Sequence, residues 1–218
     1  MYFIWGEEAF LIDQKIKEIH YLMQEESGEE VELLYLDGDE LSPPRLLEEL
    51  EFSPLFSLQR VVIIKRPFWL GKSGRKSSRN EEILKVLQDY LQRETPGQTL
   101  LITAIEHNAS NVLVKLLEKQ ATVIECKPAN PQYLANWIKD EFTARGRKIN
   151  NAGISLMVKS GQDMYYLYNL IEKLCLVSEG KTIDAKDIEE QLEGRDEIKV
   201  FKLTNALLDR NLKASFQA

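Results

Sequence analysis

Cysteine and histidine are nearly missing from this chain, with two of each among 218 residues. Cys126 and Cys175 stand far apart and form no C-x-x-C pair. Buried, reduced thiols are expected rather than a disulfide framework or a redox pair. His20 and His107 fall in unrelated segments. That argues against metal chemistry on clustered imidazoles and against a histidine-based nucleophilic triad. No run of eighteen apolar residues occurs, so no segment reads as a membrane span. The amino terminus, MYFIWGEEAF, lacks a positive region ahead of its apolar run and turns acidic at Glu7 and Glu8. It does not read as a signal peptide. Positive charge is in deficit too: 28 Lys and Arg face 35 Asp and Glu, a net charge of −7. A general affinity for nucleic acid is not expected, although a local basic patch is compatible with that balance. There is no internal repeat and no low-complexity tract.

What is present is an ordinary apolar content, 44%, ample for a packed core. Tyr2 to Trp5 is a short aromatic and β-branched run that predicts a strand, broken by Gly6. Ile12, Ile16, Ile19 and Met23 then recur at helical spacing. Val31 to Leu36 predicts a second strand, ending in the turn Asp37-Gly38-Asp39. Pro43 and Pro44 open a helix through Leu46, Leu47 and Leu50. In Arg60 to Lys65 the residues Val61, Val62, Ile63 and Ile64 are consecutive, which suits a strand buried on both faces of a parallel sheet. A polar loop is expected from Gly71 to Asn80, a helix from Glu81 to Gln92, strands at Thr99 to Ala104 and Thr122 to Glu125, and a helix around Val112 to Leu117. The alternation is that of a three-layer α/β domain with a parallel sheet.

Beyond the Pro128–Pro131 linker no strand signal remains. Helices are predicted at 131–144, 151–159, 163–177 and 184–193, with Asp184 as the N-cap of the last. A further helix begins near Glu197. The expected organisation is an α/β domain over 1–128, a small all-α lid domain over 129–195, and the start of a third helical unit over 196–218.

An α/β domain followed by a helical lid is the layout of AAA+ ATPases. Such a domain needs a phosphate loop, G-x-x-x-x-G-K-S/T, after its first strand, where glycine lets backbone amides wrap the phosphates and lysine neutralises them. Here the loop opens at Gly6, but Leu11, Ile12 and Asp13 stand where glycine, lysine and a hydroxyl belong. Glu7 and Glu8 add repulsive charge. The strand 99–104 should end in acids able to hold magnesium; it ends Thr103-Ala104-Ile105, with a lone Glu106 beyond. Gly71-Lys72-Ser73 resembles the end of a phosphate loop, yet position 66 is Arg and Leu70 sits where the loop must be open. The expectation is an AAA+-like fold with a degenerate nucleotide site, no catalytic residues, no cofactor and no metal.

Three stretches, in order along the chain, carry a resemblance. They are Phe52-Ser53-Pro54-Leu55-Phe56-Ser57-Leu58-Gln59-Arg60 with the apolar strand behind it, Gly161-Gln162-Asp163 with Leu170-Ile171-Glu172-Lys173-Leu174, and Lys199-Val200-Phe201-Lys202-Leu203-Thr204-Asn205-Ala206-Leu207. Together they resemble the delta subunits of bacterial DNA polymerase III clamp loaders. The second departs from the family pattern, with Asn169 where an acid is common.

That resemblance implies a protein that binds and opens the beta sliding clamp for loading onto primed DNA without hydrolysing ATP. It would be a non-catalytic component of a polymerase holoenzyme. Its partners would be the clamp, the delta-prime and gamma/tau subunits, and primer–template DNA, in the cytoplasm and with no membrane. Family members are longer, so the chain reads as truncated within their helical collar, the main surface for the other loader subunits. The clamp-binding pair of the family falls on Leu55 and Phe56. From sequence alone these would be core residues closing the sheet; the resemblance reverses that. Lys72, Arg75, Lys76 and Arg79 put four positive charges in eight residues. They read either as a DNA-backbone contact or as a solvated loop, and the second reading is favoured. Phe68-Trp69-Leu70 reads as an exposed patch or as a cover for the sheet edge. Two other readings stand beside the loader: an active AAA+ ATPase with an unorthodox phosphate site, and a non-replicative adaptor on the same scaffold.

Overall fold

Alternating apolar residues along each strand feed two separate cores, and this builds the layers. A computed structural model describes residues 1–51, 59–71, 78–93, 97–178 and 180–192. The chain forms two compact units, Met1–Pro128 and a second from Ala129 onward. The first contains β1 (Tyr2–Trp5), α1 (Ala9–Ser27), β2 (Val31–Asp37), α2 (Pro43–Glu51), β3 (Gln59–Lys65), α3 (Ser78–Gln92), β4 (Gln98–Ala104), α4 (Val112–Gln120) and β5 (Thr122–Glu125). The five strands are all parallel, in the order β2-β3-β4-β1-β5.

On one face Ile4, Val61, Ile63 and Leu101 pack with Ile12, Ile16 and Ile19 of α1. On the other, Phe3, Val62, Ile64, Leu100 and Ile102 pack with Leu46 and Leu50 of α2, Ile83 and Leu87 of α3, and Leu113, Val114 and Leu117 of α4. Val61 to Ile64 are all buried, as four consecutive apolar residues in an inner parallel strand require.

One boundary difference bears on the candidate residues, and one open reading is decided. The helix expected from Glu81 begins at Ser78, so Arg79 lies in the first turn of α3 rather than in a loop. Glu81 supplies the acid that suits the positive end of the helix dipole there. Phe68–Leu70 forms a 3-10 turn that covers the sheet edge, with Trp69 and Leu70 fully buried and Phe68 44% exposed. The Trp69 indole donates to the Gly38 carbonyl at 3.2 Å, and the Asn111 amide donates to the Trp69 carbonyl at 2.6 Å.

The second unit holds α5 (Pro131–Ala144), α6 (Asn151–Lys159), α7 (Met164–Val177) and α8 (Ala185–Leu192) around Ile138, Phe142, Met157, Leu167, Ile171, Leu174 and Ile188. Side-chain oxygens cap the starts of the first three: Asn130 accepts from the Tyr133 amide, Asn150 from Gly153, and Asp163 from Tyr166, each at 2.8 Å. Asp184 caps α8 as expected, accepting from the Lys186 and Asp187 amides, while Asp187 accepts from the Asp184 amide at 2.9 Å. The one strand-like pairing among the described residues of this unit is a bridge between Ile149 and Ile183. The helix expected near Glu197 lies outside the described residues.

Candidate functional site

A parallel sheet sorts its connections. Every strand-to-helix link leaves at the carboxyl edge and every helix-to-strand link returns at the amino edge. The two candidate sites therefore belong to opposite edges.

At the carboxyl edge, the link from β1 to α1 is Gly6, Glu7 and Glu8, and α1 begins at Ala9. Leu11, Ile12 and Asp13 are thus helical, with Ile12 buried against the sheet. Gly6 donates its amide to the Ala104 carbonyl at 3.0 Å, and Glu8 donates its own to Cys126 at 3.3 Å. Gly6 has φ +148°, and a Cβ there would lie 2.0 Å from the Cys126 carbonyl oxygen, so only glycine fits. The Glu8 carboxylate accepts from the Phe10 amide at 3.3 Å, placing an internal anion at the helix amino terminus. The amides of Gly6, Glu8 and Phe10, which would otherwise face a phosphate, are already paired. Of the two strands that flank β1, β4 ends at Ala104 and β5 at Glu125, whose carboxylate pairs with Lys127 at 3.2 Å. Cys126 is buried beside the link, and burial raises its thiol above the ordinary range.

Further along the same edge a cleft of about 680 Å³ is lined by Tyr35, Asp37, Asp39, Lys65, Arg66 and Ile105. Lys65 pairs with Asp13 at 3.5 Å and stands 4.8 Å over the Tyr35 ring. Burial, then the Asp13 carboxylate, raises the Tyr35 phenol. Arg66, just before Pro67, has φ +46°. The histidines serve packing: His20 bonds the Val31 carbonyl at 2.8 Å, and His107 lies edge-on to Trp5 with ring centroids 4.3 Å apart. Among the described residues no cluster of three His, Cys, Asp or Glu could hold a metal. No described helix is long and apolar enough to cross a membrane.

Leu55 and Phe56, in the chain segment between α2 and β3, lie outside the described residues, as do Lys72, Arg75 and Lys76, in the segment between β3 and α3. The flanks of the α2–β3 link are well defined. Arg60, 5% exposed, donates from Nη2 to the Glu49 carboxylate at 2.7 Å and from Nη1 to the Glu49 carbonyl at 3.4 Å. Its Nε lies 3.7 Å from a Glu32 carboxylate oxygen. The Gln98 side-chain amide donates to the same Glu49 carbonyl at 3.2 Å, and Arg93 pairs with Glu51 at 3.0 Å. Sequence reasoning missed Glu32, Glu49 and Gln98. The available signal was a charge, Arg60, at the head of an otherwise apolar inner strand.

Comparison with known proteins gives a consistent picture. The family model described as DNA polymerase III, delta subunit, matches residues 2–127. DNA polymerase III subunit delta of Bacillus subtilis is 22% identical over 224 residues, covering 100% of this chain and 63% of that protein. The solved structure of the Bacillus subtilis DNA clamp loader delta protein superposes with a TM-score of 0.71 at 21% identity, covering 99% of this chain and 65% of that one. Thermotoga maritima RuvB, a Holliday junction branch migration motor, reaches a TM-score of 0.52 at 13% identity over 94% of this chain and 67% of its own. At such identities the structural likenesses speak for the fold alone: an AAA+-like α/β unit followed in sequence by a helical unit. The chain spans somewhat under two thirds of the length of these two delta relatives.

Proposed function

The chain belongs to the DNA polymerase III delta subunit family, and we propose that it binds and opens the beta sliding clamp through Leu55 and Phe56 without hydrolysing ATP. The observation that carries the non-hydrolytic half is the β1–α1 link. Its Gly6 and Glu8 amides are paired with Ala104 and Cys126, and a carboxylate stands at the helix amino terminus. A triphosphate would have to break those bonds and displace Glu8 without a lysine to compensate.

The clamp half rests on family membership and on chemistry. A leucine and a phenylalanine entering an apolar pocket contribute about 1.5–3 kcal/mol each, and a central apolar anchor is the usual composition of an interface hot spot. Opening a ring without nucleotide requires only that this contact fit a clamp subunit better in its open curvature than in its closed one, because a ligand shifts an equilibrium by its differential affinity. ATP would then act through the delta-prime and gamma/tau partners, in the cytoplasm, with primer–template DNA as the destination. Lys72, Arg75, Lys76 and Arg79 are read as solvated charge rather than as a DNA contact.

The test uses the purified chain with a bacterial sliding clamp and with ATP in separate titrations. Nanomolar-to-micromolar clamp binding is expected, lost on changing Leu55 and Phe56 to Ala with the circular dichroism spectrum intact, and no heat of ATP binding. Clamp binding at native affinity by the double variant would remove the two residues from the site. Saturable ATP binding would return the reading to an active ATPase.

A further inference from the structure

A strained residue, an open cleft and exposed apolar side chains coincide at the carboxyl edge of the sheet. Arg66 holds φ +46°, a conformation that glycine takes without strain. The backbone around it is fixed from both sides. The Arg66 amide donates to the Thr103 carbonyl at 3.0 Å, the Gly38 amide to the Lys65 carbonyl at 2.9 Å, and the Phe68 amide to the Asp39 carboxylate at 2.8 Å. Pro67 lies so close to Gly38 that a Cβ on the glycine would stand 2.5 Å from it. The Arg66 side chain, by contrast, is exposed and has no hydrogen-bond or ion-pair partner among the described residues. Strain that persists while the side chain serves nothing within the chain points to something outside it.

Tyr35, Asp37, Arg66 and Ile105 line one cleft of about 680 Å³ at the ends of β2, β3 and β4. Ligands of parallel sheets gather outside the carboxyl ends of the strands, and this volume suits one. Tyr35 is 49% exposed and Ile105 50%. Lys65 stands over one side of the Tyr35 ring and is shared with Asp13. Asp39 is engaged by the Phe68 amide, whereas Asp37 accepts only through Oδ1, from the Asp39 amide at 2.9 Å. One cation, Arg66, and one carboxylate oxygen, Oδ2 of Asp37, are therefore open to a ligand. Phe68, just after β3, adds a second exposed aromatic at the same edge.

We propose that this cleft seats single-stranded DNA: a base lies against Tyr35 and Ile105, the Arg66 guanidinium grips its phosphate, and Asp37 accepts from the exocyclic amine of cytosine or adenine. Aromatic platforms with a cation beside them suit unpaired bases, and an arginine fork matches a phosphate. The lining charges cancel, Asp37 and Asp39 against Lys65 and Arg66. Attraction then comes from stacking and contact rather than from a general field, which is compatible with a chain of net charge −7. A duplex hides its base faces and offers this neutral cleft little. The site does not involve Leu55 or Phe56 and stands apart from the clamp reading.

The test is fluorescence anisotropy of the purified chain with labelled oligodeoxycytidine and oligothymidine of about twelve nucleotides, and with a duplex of that length, over a series of salt concentrations. Saturable binding of oligodeoxycytidine is expected, several-fold tighter than that of oligothymidine, whose base has no exocyclic amine, and tighter than that of the duplex. Tyr35→Ala should weaken it about tenfold. Arg66→Gly should weaken it and flatten the slope of log K against log salt by about 0.7, the contribution of one phosphate. The same variant should melt at a higher temperature than the wild type, a combination that damaged folding does not produce. Asp37→Ala should erase the preference for cytosine. No saturable binding by the wild-type chain, equal affinity for the two strands, or wild-type affinity in Arg66→Gly would overturn the site. Clamp affinity, read on the same variants, is expected to match the wild type, so a failed strand site and a failed clamp reading are told apart.

Discussion

Arg66 is the one described non-glycine residue with positive φ, at +46°. The left-handed region costs an ordinary residue about 1–2 kcal/mol, while a glycine introduced there gives back about 0.5–1 kcal/mol through the greater freedom of the unfolded chain. The first effect is the larger. Arg66→Gly is therefore expected to stabilise the first unit by about 0.5–1 kcal/mol, measured by urea unfolding at fixed slope. No sequence rule located this strain. Its immediate neighbour Pro67 disfavours the right-handed helical region for residue 66 but does not dictate the left-handed one. Gly6 is the opposite case. It was legible as a strand breaker, yet its second role, close approach to Cys126, depends on a partner 120 residues away in sequence and became visible only in three dimensions.

Periodicity carried the elements well, because each reports a local preference reinforced by a face to bury. The run Val61 to Ile64 announced an inner strand, and the Ile12-Ile16-Ile19 spacing announced the helix that covers it. What local pattern could not settle was direction. Phe68-Trp69-Leu70 has no period, and whether it covers or protrudes depended on bonds to Gly38 and Asn111. The frame at Arg60 was illegible for the same reason, since its contacts run to Glu49 and from there to Gln98. Asp184 shows a cap that was readable, and the structure adds the reciprocal bond from the Asp184 amide to Asp187. Asp184→Ala releases two amides at the start of α8, and a loss of about 1 kcal/mol is expected. Thermal denaturation of the chain alone, compared with the same change made at exposed Asp140, measures it.

At the scale of the molecule, the excess of acid weighs against nucleic-acid affinity except where charge is concentrated. Changing Lys72, Arg75, Lys76 and Arg79 together to Gln is expected to leave both the affinity for primed DNA and its salt dependence unaltered. A DNA-backbone contact by all four would instead flatten the slope of log K against log salt by about three to four. The salt titration decides between them. The directionality of the sheet has a wider consequence. β3 is seven residues long, roughly 20 Å of extended chain at about 3.3 Å per residue. The margin where a nucleotide would lie and the margin to which α2 returns the chain are therefore two separate rims of one slab, joined by the strands and by the helices packed on them. Mutation could erode the first rim, glycine by lysine by acid, while the second kept its geometry untouched. In a sheet of this build, change at one rim leaves the other free to keep its shape.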